Sequence, residues 1–338
     1  MKKITMLAAS ALLAAGTMAS SVYAADFNLK FAHFWPSSSG VHAGFEAWAE
    51  SLEEASAGRI NVEFYPAQTL AKAPKSYDAV KNRIADITAT VQGYSANRFP
   101  MTQVVELPGL ASSAAQGSCV IQSLYDESLI SGEYDDTHVL FLFTHGPGDI
   151  HTKDKAVKTP ADLAGMKIRR PTTVVAEMLE GLGAQPVGMP APNTYPSLQR
   201  GVIDGVAMPW EAMKSFRLNE QATYHTELGL YTLSFVVTMN KDIYNSMPDD
   251  LKAIVDAHSG KEWSAKQAVV FDDLDTLGRE EAVNEGHHII TLEGGVNNPD
   301  WKPVLDTATN KYLDALEAEG KPARNVYDRA MELSKTCL

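Results

Sequence analysis

The sequence predicts an α/β chain of two lobes, each built on a mostly parallel sheet, and three observations carry that expectation. The first is size: 338 residues exceed the length at which a single core usually stops growing. The second is composition, 45% hydrophobic and 21% charged, which suits a packed globular interior rather than a disordered or fibrous chain. The third is rhythm: short strand patterns alternate with helical ones along most of the chain, as βαβ units require.

Taken in order, the first element stands outside the fold. Lys2 and Lys3 precede an apolar run from Ile4 to Ala15, and small residues then lead to Val22-Tyr23-Ala24, the form of a secretory signal peptide (residues 1–24) cleaved after Ala24. Cleavage takes two of the 29 basic residues, leaving 27 against 42 acidic ones, so the net charge moves from -13 to -15. Such an acidic product is a poor partner for nucleic acid. No later apolar stretch approaches the roughly 20 residues that span a bilayer. The expected location is the periplasm.

Phe27 to His33 alternates as a strand does, and Val41, Phe45, Trp48 and Leu52 follow at helical spacing. Ile60 to Tyr65 reads as the next strand, Tyr77 to Arg83 as a helix, and Asp86 to Thr90 as a strand. Ala114 to Leu124 reads as helix, and Val139 to Phe143 and Met166 to Arg169 as further strands. After Leu251 helical spacing runs to about Glu285, broken only at Gly260. Thr291 to Val296 then reads as a strand, and Pro303 to Ala318 and Asn325 to Lys335 as closing helices.

Ligands of open α/β sheets lie beyond the carboxyl ends of strands, so the residues leaving each strand are the candidates for a site. Here they supply Phe34 and Trp35, then Gln92 and Tyr94, then His145, then Arg169, then Met208 and Trp210, with Met189 in a nearby loop. Any one aromatic among them is ordinary core rim; five such exits together point to a cleft. No Gly-x-Ser-x-Gly elbow, phosphate-binding glycine loop or His-Glu-x-x-His helix is present, so no catalytic residues are assigned. The nine histidines show no ligand spacing, and neither a metal nor another cofactor is expected. Cys119 and Cys337 are either a disulfide joining the C-terminus to the first lobe or two unpaired thiols, since spacing does not decide geometry.

Three blocks carry a resemblance. They are Thr159-Pro160-Ala161-Asp162-Leu163-Ala164-Gly165-Met166-Lys167-Ile168-Arg169, then Leu182-Gly183-Ala184-Gln185-Pro186-Val187, then Tyr195-Pro196-Ser197-Leu198-Gln199-Arg200-Gly201-Val202-Ile203-Asp204-Gly205. The chain resembles the periplasmic solute-binding proteins of tripartite ATP-independent periplasmic (TRAP) transporters, the DctP family, over essentially its whole mature length. The resemblance implies a two-lobe periplasmic binding protein fold with a long bridging helix. The lobes would be residues 25–147 plus about 239–280, and 148–238 plus about 281–325. Residues 326–338 would form a C-terminal helix and tail. It also implies a non-enzymatic receptor, a monomer, that closes over a small organic acid and delivers it to the small and large membrane subunits of a permease.

In that family an arginine after the Lys-Ile strand grips the ligand carboxylate, which places the role on Arg169; a guanidinium fork holds both oxygens where lysine could not. Arg170 should face the other way, since neighbours on a strand alternate. Where sialic-acid and C4-dicarboxylate relatives often carry Asn before Pro, this chain has Met208-Pro209, and Ala191 and Gln92 likewise remove polarity or open space. Sugar acids need many hydrogen-bond partners, so the expected ligand is a monocarboxylate with an apolar or aromatic body. The rival readings are an exported α/β enzyme acting on a carboxylate and a C4-dicarboxylate binding or sensing protein.

Overall fold

The computed structural model describes residues 25–337, so the segment read as a signal peptide lies outside the described residues. The chain opens with β1 (Phe27–Ala32), α1 (Gly40–Ala55), β2 (Ile60–Tyr65), α2 (Ser76–Lys81), β3 (Ile87–Val91), α3 (Ala114–Asp126) and β4 (His138–Thr144). Helix α1 starts where the Ser39 side chain accepts from the His42 amide, and it buries Val41, Phe45, Trp48 and Leu52 on one stripe. The chain then crosses into β5 (Gly148–Thr152), β6 (Lys167–Arg170), α4 (Thr173–Gly181), β7 (Gln185–Gly188), α5 (Thr194–Gln199), β8 (Gly205–Met208), α6 (Trp210–Ser215) and β9 (Tyr224–Tyr231). It returns as β10 (Ser234–Met239), α7 (Lys241–Ser246), α8 (Asp249–Ala257) and α9 (Gly260–Asn284), and ends in β11 (His288–Thr291), α10 (Lys302–Ala318) and α11 (Ala323–Ser334).

Two sheets result, ordered β2-β1-β3-β10-β4 and β11-β9-β5-β8-β6-β7. Each is parallel except for one strand: β10 runs against β3 and β4, and β5 runs against β8 and β9. These two are the strands that enter a lobe directly after a crossing. The carboxyl edges of both sheets face the space between the lobes, so a strand arriving from that space runs opposite to its neighbours.

The second crossing corrects the expected lobe boundary at 238/239. Strand β10 already belongs to the first sheet, and the chain crosses at Thr232-Leu233. All six residues from Ser234 to Met239 are buried, because a central strand covered on both faces needs an apolar run rather than alternation. The reading of Thr291 to Val296 as a strand is also corrected. The strand ends at Thr291, and Gly294 and Gly295, with φ of 79° and 53°, turn the chain instead.

Helix α9 bridges the lobes, packing on α1, α3 and β4 on one side and on α6 on the other. Two of its carboxyls hold helix starts in different lobes. Asp272 accepts from the amides of Ala114 (2.7 Å) and Ala115 (3.0 Å) at the head of α3. Asp275 accepts from the Glu211 amide (2.5 Å) in the first turn of α6. A Cβ on Gly146, in the first crossing, would lie 1.9 Å from Asp275 Oδ2, so only glycine passes there.

Helix α10 packs on α4 in the second lobe, whereas α11 packs on α3 in the first. Cys119 and Cys337 are disulfide-bonded, which fastens the tail to α3. Arg329 on α11 adds an ion pair to Glu127. No helix among the described residues is long and apolar enough to cross a membrane.

Candidate functional site

The facing carboxyl edges close on a small cavity of about 20 Å³ between the lobes, roughly the room of one water molecule and far below the roughly 300 Å³ of a formed ligand pocket. Six of the candidate side chains line it: Phe34, Trp35, Tyr94, His145, Arg169 and Met208. Phe34 stacks on Trp35 with centroids 3.9 Å apart and planes at 21°, and lies nearly parallel to Phe216 of the opposite lobe at 6.4 Å. Those two rings wall the cavity off from a larger open groove along Pro36, Lys214 and Arg217.

Arg169 is 1% exposed and is held by backbone and neutral groups. Its Nε donates to the Met189 carbonyl (3.1 Å), Nη1 to the Ala207 carbonyl (3.0 Å) and the Met208 sulfur (3.2 Å), and Nη2 to the Tyr94 hydroxyl (3.2 Å). No carboxylate among the described residues lies within 4.0 Å of it. A buried guanidinium without an anion is costly, and this one sits at a cavity wall. The next residue on β6, Arg170, is on the other face, its guanidinium against Gly188 in a separate outer cleft.

The Tyr94 hydroxyl accepts from Arg169 and also from the Ala191 amide (3.0 Å). Tyr94 belongs to the first lobe and both donors to the second, so one oxygen ties the lobes together while its own proton stays free to donate. Glu106 makes a second tie. Its carboxyl accepts from Thr172 of the second lobe (2.8 Å) and from Ser234 (3.1 Å) and Gln103 (3.2 Å) of the first. Burial pushes its pKa up to about 7 against those hydrogen bonds. Gly93 lets the lobes meet here, since a Cβ would fall 2.3 Å from Thr172 Cγ2.

His145 is a brace between the two crossings. Its Nδ1 donates to the Gly146 carbonyl, its Nε2 accepts from the Leu233 amide (3.2 Å), and its carbonyl accepts from Thr232 (2.6 Å). Burial, with the nearby Arg169 charge, lowers its pKa to about 3, so the ring is neutral and both nitrogens are engaged.

Three candidate residues lie elsewhere. Gln92 is fully buried inside the first lobe, its amide nitrogen donating to Tyr134 (2.9 Å); Val91, its neighbour, takes the cavity face instead. Trp210 packs between His151 and His225, with centroids at 4.9 and 4.6 Å, and its indole donates to Glu227 (3.2 Å). Met189 gives Arg169 only its carbonyl, and its side chain lines the outer cleft beside Arg170. In their place stand Leu233, Phe235, Ala212, Phe216 and Glu211. Their spacings carry a signal, two residues apart on an extended segment and four apart around α6, that marks shared faces once the elements are known.

Comparison with known proteins places this arrangement. The profile of the family described as DctP, bacterial extracellular solute-binding protein, family 7, matches residues 31–314. A marine metagenome TRAP solute-binding protein specific for aromatic acid ligands, solved with 3-hydroxybenzoate, is 37% identical, with 91% of this chain and 98% of that chain covered and a TM-score of 0.88. A TRAP solute-binding protein from Rhodoferax ferrireducens, solved with copurified benzoate, is 36% identical over 92% of this chain and 98% of its own, with a TM-score of 0.88. One from Bordetella bronchiseptica, solved with (R)- and (S)-mandelate, is 25% identical over 91% of this chain and 99% of its own, with a TM-score of 0.84. With a profile match over most of its length and a buried arginine at the mouth of two facing sheets, the chain belongs to the DctP family and is a TRAP-type solute-binding protein.

Proposed function

We propose that the protein binds a small monocarboxylate with an aromatic or apolar body between its lobes and passes it, chemically unchanged, to the membrane subunits of a TRAP permease. The observation that carries this reading is the buried Arg169, which has no carboxylate partner among the described residues and opens onto a cavity walled by Phe34, Trp35, Phe216 and Phe235. A ligand carboxylate supplies the missing anion, accepting from the guanidinium and from the free proton of Tyr94. Its body meets rings and sulfur, where apolar contact is worth roughly 25 cal/mol per Å² buried. Several hydroxyls there would be desolvated without partners. The ligands of the three solved relatives, 3-hydroxybenzoate, benzoate and mandelate, are all of this class. The working form is a periplasmic monomer released by cleavage after Ala24.

Calorimetric titration with benzoate, mandelate, succinate and sialic acid tests the ligand class. Tight binding of benzoate or mandelate is expected, and tightest binding of succinate or sialic acid overturns it. Recovery of the bound acid unaltered after long incubation is expected of a carrier; a converted product refutes it.

A further inference from the structure

Besides Arg169, the cavity wall carries one acidic side chain that the grip on a carboxylate does not use. Glu211, on α6, is 2% exposed and lines the same cavity. One carboxyl oxygen, Oε1, accepts from the Ser215 hydroxyl at 2.6 Å. The other, Oε2, has no hydrogen-bond partner among the described residues, and no cation among them lies within 4.0 Å of either. Glu211 therefore does not neutralise Arg169, and it presents an unpaired oxygen to a pocket otherwise lined by Arg169, Tyr94, His145 and apolar or sulfur-bearing side chains.

Resting on the reading of a monocarboxylate site, we propose that Glu211 is a specificity-determining residue that hydrogen-bonds a hydroxyl on the ligand body, so that the preferred ligand is a hydroxylated aromatic monocarboxylate. Arg169 takes the carboxylate, the apolar walls take the ring, and Oε2 pairs with the hydroxyl. Burial, opposed only by Ser215, pushes the Glu211 carboxyl up to about 7. A hydroxyl suits both of its protonation states, since it donates to the carboxylate and accepts from the acid. An ammonium would need several acceptors where one oxygen is free, and a second carboxylate would meet a group of its own sign. A site built around a ligand hydroxyl rejects the analogue that lacks it, because its own polar atom is then left unpaired.

The test is calorimetric titration of the native protein with benzoate, 3- and 4-hydroxybenzoate, the matching methylbenzoates, isophthalate and 3-(aminomethyl)benzoate. At least one hydroxybenzoate should bind about tenfold more tightly than benzoate, equivalent to about 1.4 kcal/mol, while its methyl counterpart gains nothing of the kind. In Glu211→Leu the ratio of benzoate to hydroxybenzoate Kd should collapse to below about twofold, and Glu211→Gln should restore part of it. A methyl group as effective as the hydroxyl, a ratio that survives Glu211→Leu, or tightest binding by isophthalate or the aminomethyl acid overturns the assignment, and the native series decides even if Glu211→Leu does not fold. Failure of every aromatic acid to bind instead refutes the monocarboxylate reading and takes this assignment with it.

Discussion

Tyr94→Phe tests what one oxygen contributes to closing the lobes on a ligand. The substitution keeps the ring and its contact with Phe34, at 5.7 Å between centroids, and removes only the hydroxyl. Two interlobe hydrogen bonds go with it, a charge-assisted one from Arg169 at 3.2 Å and a neutral one from the Ala191 amide at 3.0 Å. A charge-assisted bond is worth about 1.5 to 3 kcal/mol net and a neutral one about 0.5 to 1.5. With the lobes apart both donors face water, so the loss falls on the closed form alone. Taking the long Arg169 bond at the low end, the closed state weakens by about 2 to 3 kcal/mol relative to the open one. Binding coupled to closure then loses at least roughly 30- to 150-fold in affinity, and the loss of the hydrogen bond from Tyr94 to the ligand carboxylate adds to it. Titration of benzoate into native and variant protein reads that loss. Small-angle scattering at saturating ligand shows whether the variant reaches the same radius of gyration. A change of less than threefold would falsify the view that Tyr94 latches the lobes.

Arg169→Lys should weaken benzoate binding by at least about 100-fold, because the three donors of one ammonium cannot satisfy the carbonyls of Met189 and Ala207 and the Tyr94 hydroxyl and still present one to a carboxylate; Arg170→Ala, on the outer face, should change it by less than threefold, and the reverse ranking in calorimetry refutes the assignment. Glu106 keeps in the fold a proton that an unfolded chain releases near 4.5, so its contribution to stability declines as pH rises from about 4.5 to about 7. Glu106→Gln should therefore gain in melting temperature relative to native protein between pH 5 and pH 8, by the equivalent of about 3 kcal/mol at most; a difference that stays constant across that range counts against a protonated Glu106. Reducing the Cys119–Cys337 bond, which closes a loop of 218 residues in sequence separation, should cost about 2 to 5 kcal/mol, read as a lower melting temperature in dithiothreitol. An unchanged melting temperature would show that α11 holds its place without the bridge.

How far the site was readable from the chain can be seen residue by residue. Strand alternation put one of two adjacent arginines inside and the family resemblance chose Arg169, while Phe34, Trp35, Tyr94 and Met208 were legible because strand exits converge in this fold class. Gln92 and Trp210 were misplaced for one reason: an exit names a short segment, and the twist of the strand and the entry angle of the next helix decide which side chain turns inward. Val91 and Glu211, each one position away, took the cavity face. Leu233 and Phe235 were hidden because the apolar run containing them reads equally as crossing or strand. Only its pairing with β3 and β4 assigns it to the first lobe. Glu211 gives no local sign of its role, since a buried carboxyl and a surface one look alike in a row of letters.

The two aspartates on α9 bear on what kind of motion the molecule permits. Asp272 and Asp275 are three residues apart, about 4.5 Å along the helix axis, and each grips a helix start in a different lobe. Sliding one lobe past the other would shear one of these grips from its amide, whereas swivelling about that single turn leaves both nearly unstrained. The turn is thus placed as an axle, favouring a change of angle between the lobes over a slide. A membrane partner pressed against both lobes would register a change of angle rather than an offset. Glu211, whose amide is one of the gripped groups, sits at that turn, while Phe34 and Phe216 meet face to face across the two lobes like jaws.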